Sequence, residues 1–318
     1  MSETTTIEPV AKTTSRAPPL KVPILAEFNY YAPPPDGPGE PSPNDLELVL
    51  GTKDQDTRRL PVHDVRGHEA EFNFRENGFV YVNRPSSLKS SQGDFLNDDL
   101  ISSKYYADVE NLLREQLLGI TAIHYLGHII RSALRRTDFS EKADVPTDPA
   151  WNKPDRGAAP APRVHIDFTK LGVHLVLIQA FGEEVADAVT KSGKRFMAFS
   201  IWRPIKMIRR DPLGICDARS VKAGELVPLK RLYPDGKKGE NVVVKAAVGE
   251  GMDCRHRWYW MSGQTADEVL MIKIFDSQDE DWESGGTVRV GPHCSFHLDG
   301  TEEEDVRESI EVRVVVCF

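Results

Sequence analysis

Arg163-Val-His165-Ile-Asp167-Phe-Thr169 is the stretch that most constrains the fold. Its β-branched and aromatic residues are typical of a β-strand. Because side chains on a strand alternate with a period of two, His165 and Asp167 point to the same side. A histidine and a carboxylate on one face supply two ligands of a metal site and leave room for a third.

The third ligand is expected from a distant strand. Gly291-Pro292-His293 follows the strand-like segment Thr287–Val290 and is one candidate, and His256, which precedes Trp258-Tyr-Trp, is the alternative. Two histidines and one carboxylate on one side of a metal leave its opposite side open, which is the arrangement used by non-haem Fe(II) oxygenases. His293 is favoured because an Arg-x-Ser pair follows it.

That pair is Arg307-x-Ser309, next to the last strand-like segment, Ser309–Cys317. The two side chains point the same way. An arginine fork and a hydroxyl together form a receptor for a carboxylate, and 2-oxoglutarate oxygenases hold the far carboxylate of their cosubstrate in this way. Arg313 lies six residues after Arg307 on the same side of the strand and competes with it for this role.

Composition and charge exclude several classes of protein. The chain has 318 residues, is 40% hydrophobic and carries a net charge of −9 with a pI near 5.6. Acidic composition argues against a nucleic-acid partner, and the sequence has no apolar stretch long enough to span a bilayer. Four separated cysteines favour reduced thiols. We expect a cytoplasmic protein with a disordered leader at residues 1–21 and a single domain at residues 22–318.

Hydrophobic spacing predicts a mainly β fold with a helical layer. One long helix is predicted over Ser102–Arg136, which would place His124 and His128 on one helix face in a structural role, and a second over Glu183–Lys191. The predicted strands are Thr57–His63, Phe79–Val82, Arg163–Thr169, Arg195–Trp202, Val242–Ala247, Trp258–Met261, Val269–Phe275, Thr287–Val290 and Ser309–Cys317. Residues 31–44 and 146–162 are predicted loops, and their Pro and Gly content suggests a lid.

A series of motifs in order along the chain resembles the fungal AsaB-like hydroxylase/desaturase family, which includes the aspergillic acid oxygenase, the gibberellin desaturase and relatives of the cephalosporin methoxylase accessory chain. The motifs are Gly78-Phe79-Val80, Arg163-Val-His165-Ile-Asp167-Phe-Thr169, Trp202-Arg203-Pro204-Ile205-Lys206, Asp211-Pro212-Leu213, Cys216-Asp217, His256-Arg-Trp258-Tyr259, Asp267-Glu268-Val-Leu, Lys273-Ile-Phe-Asp276-Ser277, Pro292-His293-Cys-Ser-Phe296 and Arg307-Glu-Ser309-Ile-Glu311-Val-Arg313. They span roughly residues 70 to 317. As an ordered series, they are specific.

The resemblance implies a double-stranded β-helix, also called a jelly roll, that binds Fe(II), 2-oxoglutarate and O2. It implies that His165, Asp167 and His293 bind the metal and that Arg307 and Ser309 bind the cosubstrate. The expected activity is hydroxylation, desaturation or cyclisation of a small molecule of fungal secondary metabolism through a ferryl-oxo species. Residues expected to line the substrate mouth are Arg163, Trp202, Arg203 and Lys206.

Two other functions stay open at this stage. The first is a catalytically silent relative that serves as partner subunit of an active oxygenase, since the family includes an accessory chain. The second is a cupin-like metal-dependent isomerase or lyase, which would need no Arg307-x-Ser309 clamp. Assembly as a homodimer, or as a heterodimer with a related oxygenase, is also left open.

Overall fold

Two facing β-sheets form a jelly roll in a computed structural model that describes residues 21–33, 54–132, 159–232, 236–247, 254–279 and 286–318. The strands are β1 Ile24–Tyr31, β2 Gln55–Asp64, β3 Phe79–Asn83, β4 Ala122–Ser132, β5 His165–Ile166, β6 Phe196–Pro204, β7 Leu213–Cys216, β8 Leu226–Leu232, β9 Lys238–Val244, β10 Trp258–Trp260, β11 Glu268–Asp276, β12 His293–Ser295 and β13 Glu308–Cys317. The helices are α1 Asp98–Leu100, a π-helical turn Ile101–Tyr105, α2 Tyr106–Gln116, α3 Lys170–Phe181 and α4 Glu183–Thr190. The mainly β fold with packed helices confirms the predicted class.

The pairing of the strands positions the predicted metal ligands. Among the described residues, one sheet has the order β1-β2-β10-β7-β12-β5-β9-β8 and the other the order β3-β11-β6-β13-β4. In the first sheet β12 and β5 are antiparallel neighbours, with His293 directly opposite His165. Residues far apart in sequence therefore meet through strand pairing.

Both faces of the five-stranded sheet are covered. Ala198 and Trp202 of β6 pack inward, toward the other sheet, whereas Phe199 and Ile201 pack outward with Leu112 of α2. Every residue of β6 is buried. A strand buried on both faces is continuously apolar rather than alternating, and this explains why β6 and β11 are so hydrophobic.

The predicted helix over Ser102–Arg136 is wrong in its second half. The helical segment ends with Gln116, and residues 122–132 form β4, which pairs with β13 along its whole length; residues 133–136 lie outside the described part. Residues on both faces of β4 are partly buried. Apolar and polar residues therefore do not alternate along it, and the spacing of the apolar residues resembles that of a helix. The segment forms a strand because it pairs with β13. Its isoleucines agree with this, since isoleucine is more favourable in a strand than in a helix.

Two smaller predictions also changed. The strand expected at Arg163–Thr169 is reduced to His165–Ile166, because Thr169 caps α3 by accepting a hydrogen bond from the amide of Gly172. Residues 287–290 are not a strand. The predicted helix at Glu183–Lys191 is confirmed as α4. The predicted leader, apart from residue 21, and most of both predicted lid loops lie outside the described residues.

Candidate metal centre and cosubstrate pocket

His165, Asp167 and His293 come together in one cluster, with one ligand atom from each lying within 4.8 Å of the others. The Nε2 atoms of both histidines lie 3.8 Å from the Asp167 carboxylate, one from each oxygen. The centroids of the two imidazole rings are 4.5 Å apart. The sequence analysis predicted this set, and the structure brings all three residues together.

Backbone carbonyls orient both imidazoles of the cluster. His165 donates its Nδ1 proton to the carbonyl of Arg163 at 2.7 Å, and His293 donates to the carbonyl of Gly291 at 3.0 Å. These bonds leave each Nε2 lone pair directed at the cluster, as in established metal sites. Burial and the neighbouring His293 hold the pKa of His165 well below its ordinary value. The ring is therefore neutral near pH 7 and able to bind a metal.

Only one oxygen of the Asp167 carboxylate has a hydrogen-bond partner among the described residues. Its Oδ1 accepts a hydrogen bond from Arg313 at 2.8 Å, while its buried Oδ2 has no hydrogen-bond partner among the described residues. A buried carboxylate oxygen without a partner is costly, and a divalent cation would satisfy it. Two nitrogens and one carboxylate oxygen are a donor set suited to Fe(II), so the residues present fit this metal.

His256, the alternative third ligand, lies in a different environment. Its Nδ1 is 3.0 Å from the hydroxyl of Tyr30, and its Nε2 is 3.0 Å from Glu225. Both ring nitrogens are engaged, and His256 is not a member of the cluster. The choice of His293 over His256 therefore agrees with the geometry.

A narrow cavity adjoins the cluster. Its lining residues are Arg131, Ala161, His165, Ser200, Trp202, Leu213, Ile272, His293, Arg307 and Glu311. Arg307 is 1% exposed, donates one hydrogen bond to the carbonyl of Asp211 at 2.9 Å, and has its guanidinium carbon 5.7 Å from the centre of the Trp202 ring. Burial, followed by the charge of Arg131, lowers the pKa of Arg307 to about 9.

Polar atoms at this cavity lack partners within the described part of the chain. They are Nε of Arg307 and Nε1 of Trp202, both buried. The buried Oγ of Ser309 also lacks a partner; Ser309 does not line the cavity but lies on β13 two residues before Glu311, which does. Each can donate a hydrogen bond, and one belongs to a cation. This arrangement suits an anionic ligand, because a carboxylate would satisfy several donors at once.

Arg313, the competitor of Arg307, has a different set of contacts. It donates to Asp167 at 2.8 Å and to Glu311 at 2.7 Å, so its guanidinium is engaged by carboxylates of the protein. Arg307 lines the cavity and Arg313 does not. Arg307 is therefore the better candidate for the cosubstrate, and Arg313 instead contacts the carboxylate of Asp167.

Three polar residues of the cavity lining, Arg131, Ser200 and Glu311, were not predicted from the sequence. Glu311 accepts hydrogen bonds from Ser200 at 3.0 Å and from Arg313, and lies 3.5 Å from Nε of Arg131. Burial opposes the Glu311 carboxylate, but Arg313 and Arg131 outweigh it and lower the pKa of Glu311. These residues come from three strands, and only strand pairing brings them together.

The predicted substrate residues are dispersed. Trp202 lines the cavity, but Arg203 lies on the opposite face of the same sheet, where it donates to the hydroxyl of Tyr105 at 3.0 Å. The structure therefore places Arg203 outside the lining of this cavity, and a role at the substrate mouth stays a prediction. Lys206 lies 3.7 Å from Glu308 at the end of β6, outside the cavity lining.

Arg163 is also directed away from the cavity. Its guanidinium lies 5.6 Å from the centre of the Tyr31 ring, and its backbone carbonyl accepts a hydrogen bond from Nδ1 of His165. Arg163 thus contributes to the orientation of a ligand rather than to the cavity wall.

The solved structures show the same fold. A structure titled iron and alpha-ketoglutarate-dependent endoperoxidase NvfI with different conformation superposes with a TM-score of 0.69 over 94% of this chain and 98% of its own, at 22% identity. At this identity the likeness concerns the fold alone, and it agrees with the jelly roll described above.

Sequence comparison identifies the family. A family model described as Oxidoreductase/YMDC permease-like domain matches residues 28–317. The alpha-ketoglutarate-dependent dioxygenase phiK of Fungal sp. is 34% identical over 297 residues, which cover 93% of this chain and 96% of that protein. The hydroxylase/desaturase CTB9 of Cercospora beticola is 31% identical over 316 residues, covering 98% and 90%. This chain belongs to the family of fungal alpha-ketoglutarate-dependent dioxygenases and hydroxylase/desaturases.

Proposed function

We propose that this chain is an Fe(II)- and 2-oxoglutarate-dependent oxygenase that hydroxylates, desaturates or cyclises a small molecule of fungal secondary metabolism. His165, Asp167 and His293 hold the iron. Arg307 and Ser309 hold the distal carboxylate of 2-oxoglutarate. Iron held there would supply the oxidising chemistry, with O2 and 2-oxoglutarate as cosubstrates, for oxidation of an unactivated C–H bond.

The protein's own groups prepare this site in separate ways. Backbone carbonyls keep the proton of each imidazole on Nδ1, so that both Nε2 atoms are free for the metal. Arg313 occupies one oxygen of Asp167 and leaves the other for iron. The guanidinium of Arg307 is 1% exposed, and this burial strengthens its attraction to an anion.

The unpartnered donors of Arg307 and Ser309 beside the histidine–carboxylate cluster carry the proposal. A partner subunit without activity has no need of both a metal site and a buried cation. A cupin-like isomerase or lyase that does not use 2-oxoglutarate has no need of the cation. The oxygenase uses both features together.

Two residues are proposed to contact the substrate. Trp202, whose Nε1 has no partner among the described residues, is proposed to contact the ligands of the cavity, and Lys206 is proposed to act at its rim. The described residues contain no helix of the length and apolarity that crossing a membrane requires. Cytoplasmic location and pairing with a second copy or a related oxygenase stay predictions.

The test is anaerobic addition of Fe(II) and 2-oxoglutarate to metal-free protein, followed by the weak visible absorption of an Fe(II)–2-oxo-acid chelate. We expect the absorption in wild type and in His256→Ala, and its loss in His293→Ala. Absence of the absorption in wild type, with iron binding retained, would favour an isomerase or lyase. Absence of iron binding would favour the silent partner subunit.

A further inference from the structure

A second polar cluster surrounds the hydroxyl of Tyr30 and shares no residue with the cavity lining. The Tyr30 oxygen lies 2.8 Å from Nε1 of Trp258, 3.0 Å from Nδ1 of His256 and 3.7 Å from Sγ of Cys254. Nε2 of His256 lies 3.0 Å from the carboxylate of Glu225. A hydrogen-bonded chain thus runs from the Cys254 thiol through Tyr30 and His256 to Glu225.

The donors and acceptors along this chain can be matched both when Cys254 is a thiol and when it is a thiolate. The Trp258 indole only donates, and the Glu225 carboxylate only accepts. With a neutral thiol, Cys254 donates to the Tyr30 oxygen and the Tyr30 hydroxyl donates to Nδ1 of His256. With a thiolate, Nδ1 of His256 donates to the Tyr30 oxygen and the Tyr30 hydroxyl donates to sulfur. Every donor has an acceptor in both states.

Two protons move between the thiol state and the thiolate state. One passes from sulfur to the Tyr30 oxygen, and the hydroxyl proton of Tyr30 passes to Nδ1 of His256. The tyrosine keeps a proton throughout, which agrees with burial holding the pKa of Tyr30 well above its ordinary value. The imidazolium that results faces Glu225, which also pairs with Arg255. The carboxylate stabilises the charge that His256 acquires.

We propose that Cys254 is a covalent-modification site, a nucleophilic thiolate whose proton rests on His256 and which reacts with small soft electrophiles. In the reaction with iodoacetamide, the sulfur lone pair forms a C–S bond, the C–I bond breaks and iodide leaves with its electron pair. The proton stays on His256 and exchanges with solvent afterwards. Neither the iron site nor 2-oxoglutarate takes part.

The charges around Cys254 come from several elements. Arg58 of β2 interacts electrostatically with it, Tyr30 of β1 and His256 form the chain, and the thiol of Cys216 in β7 is a further neighbour. Burial opposes the thiolate of Cys254, but His256 and Tyr30 outweigh that effect, and the pKa of the thiol falls below its ordinary value.

The other cysteines provide internal controls. Cys216 and Cys294 are fully buried, and burial raises the pKa of each. Cys317 is partly exposed, like Cys254, but burial raises its pKa and the described residues place no histidine beside it. Comparing Cys254 with Cys317 separates activation by His256 from simple access, because thiolate character sets the reactivity of an accessible cysteine.

The test is a time course of iodoacetamide alkylation of the full chain at pH 7, with each cysteine quantified by peptide mass spectrometry. We expect Cys254 to react at least about tenfold faster than Cys317. Both His256→Gln and the milder Glu225→Gln should slow Cys254 and raise the pH at which its rate is half-maximal. The rate at Cys317 should stay unchanged, which also reports that the fold is intact.

Equal rates at Cys254 and Cys317 in the wild-type protein would overturn the proposal. So would a rate at Cys254 that both variants leave unchanged. If His256→Gln fails to fold, Glu225→Gln alone decides, since it keeps the shape of the side chain and removes the charge that faces the imidazolium.

Discussion

Replacement of Arg307 by Gln tests the cosubstrate pocket most directly. The guanidinium is 1% exposed and donates one hydrogen bond to a backbone carbonyl, and no carboxylate of the described residues forms an ion pair with it. A bound carboxylate adds two charge-assisted hydrogen bonds, worth about 1.5 to 3 kcal/mol each. Their loss amounts to about 3 to 6 kcal/mol, or a factor of about 10² to 10⁴ in affinity. We therefore expect Arg307→Gln to weaken 2-oxoglutarate binding at least about 100-fold.

The assay is anaerobic titration of iron-loaded protein with 2-oxoglutarate, following its visible absorption or its increase in unfolding temperature. Arg203→Gln is the matched control, because Arg203 is equally buried and also stacks on an aromatic ring, that of Tyr105 at 5.4 Å, but on the opposite face of the sheet. Arg203→Gln should lower thermal stability and leave the dissociation constant for 2-oxoglutarate unchanged. A wild-type dissociation constant in Arg307→Gln would refute the assignment of the pocket.

Three further outcomes are expected. The pKa of Arg307 is lowered to about 9, so its positive charge is lost as the pH rises through that value. Titrations between pH 8 and pH 10 should therefore show the affinity for 2-oxoglutarate falling about tenfold. A constant affinity would contradict this. Arg313→Gln should weaken Fe(II) binding about 10- to 100-fold in a metal titration, because Asp167 loses the hydrogen bond that orients it; unchanged affinity would exclude a positioning role. Gly172→Ala would place a methyl group 2.0 Å from a carbonyl oxygen of β9, so thermal unfolding should show a loss of more than about 2 kcal/mol, whereas Gly224→Ala, with nothing within 4 Å, should be neutral.

The metal ligands could be predicted because their pattern is local. His165 and Asp167 are two residues apart in a segment that the sequence predicts as a strand, and His293 precedes the Arg307-x-Ser309 pair. The observed strand ends at Ile166, but Asp167 still joins the two histidines in one cluster. The pairing of His293 with His165 could not be read from either segment alone, since it depends on how β12 and β5 meet. His256 looked similar in sequence, and only its contacts with Tyr30 and Glu225 separate it from the ligands.

The wrong helix prediction over residues 122–132 also affected the prediction of the site. By treating β4 as a helix, the sequence analysis overlooked Arg131, which lines the cavity opposite Ser309 in the β4–β13 pairing. Glu311 and Ser200 were missed for a related reason. Each lies in a strand dominated by apolar residues, and nothing local shows that the two side chains meet across the sheet.

The central position of β13 has a consequence for how this family can change. Ser309, Glu311 and Arg313 share the inward face of one strand that is hydrogen-bonded on both edges, to β6 and β4. A slip of one residue in either pairing would turn all three toward the helices. In the proposed site, anchoring of the cosubstrate and orientation of the carboxylate of Asp167 thus depend on one register, that of β13. We therefore expect substitutions outside β13 to alter substrate preference while leaving the proposed iron and cosubstrate sites in register.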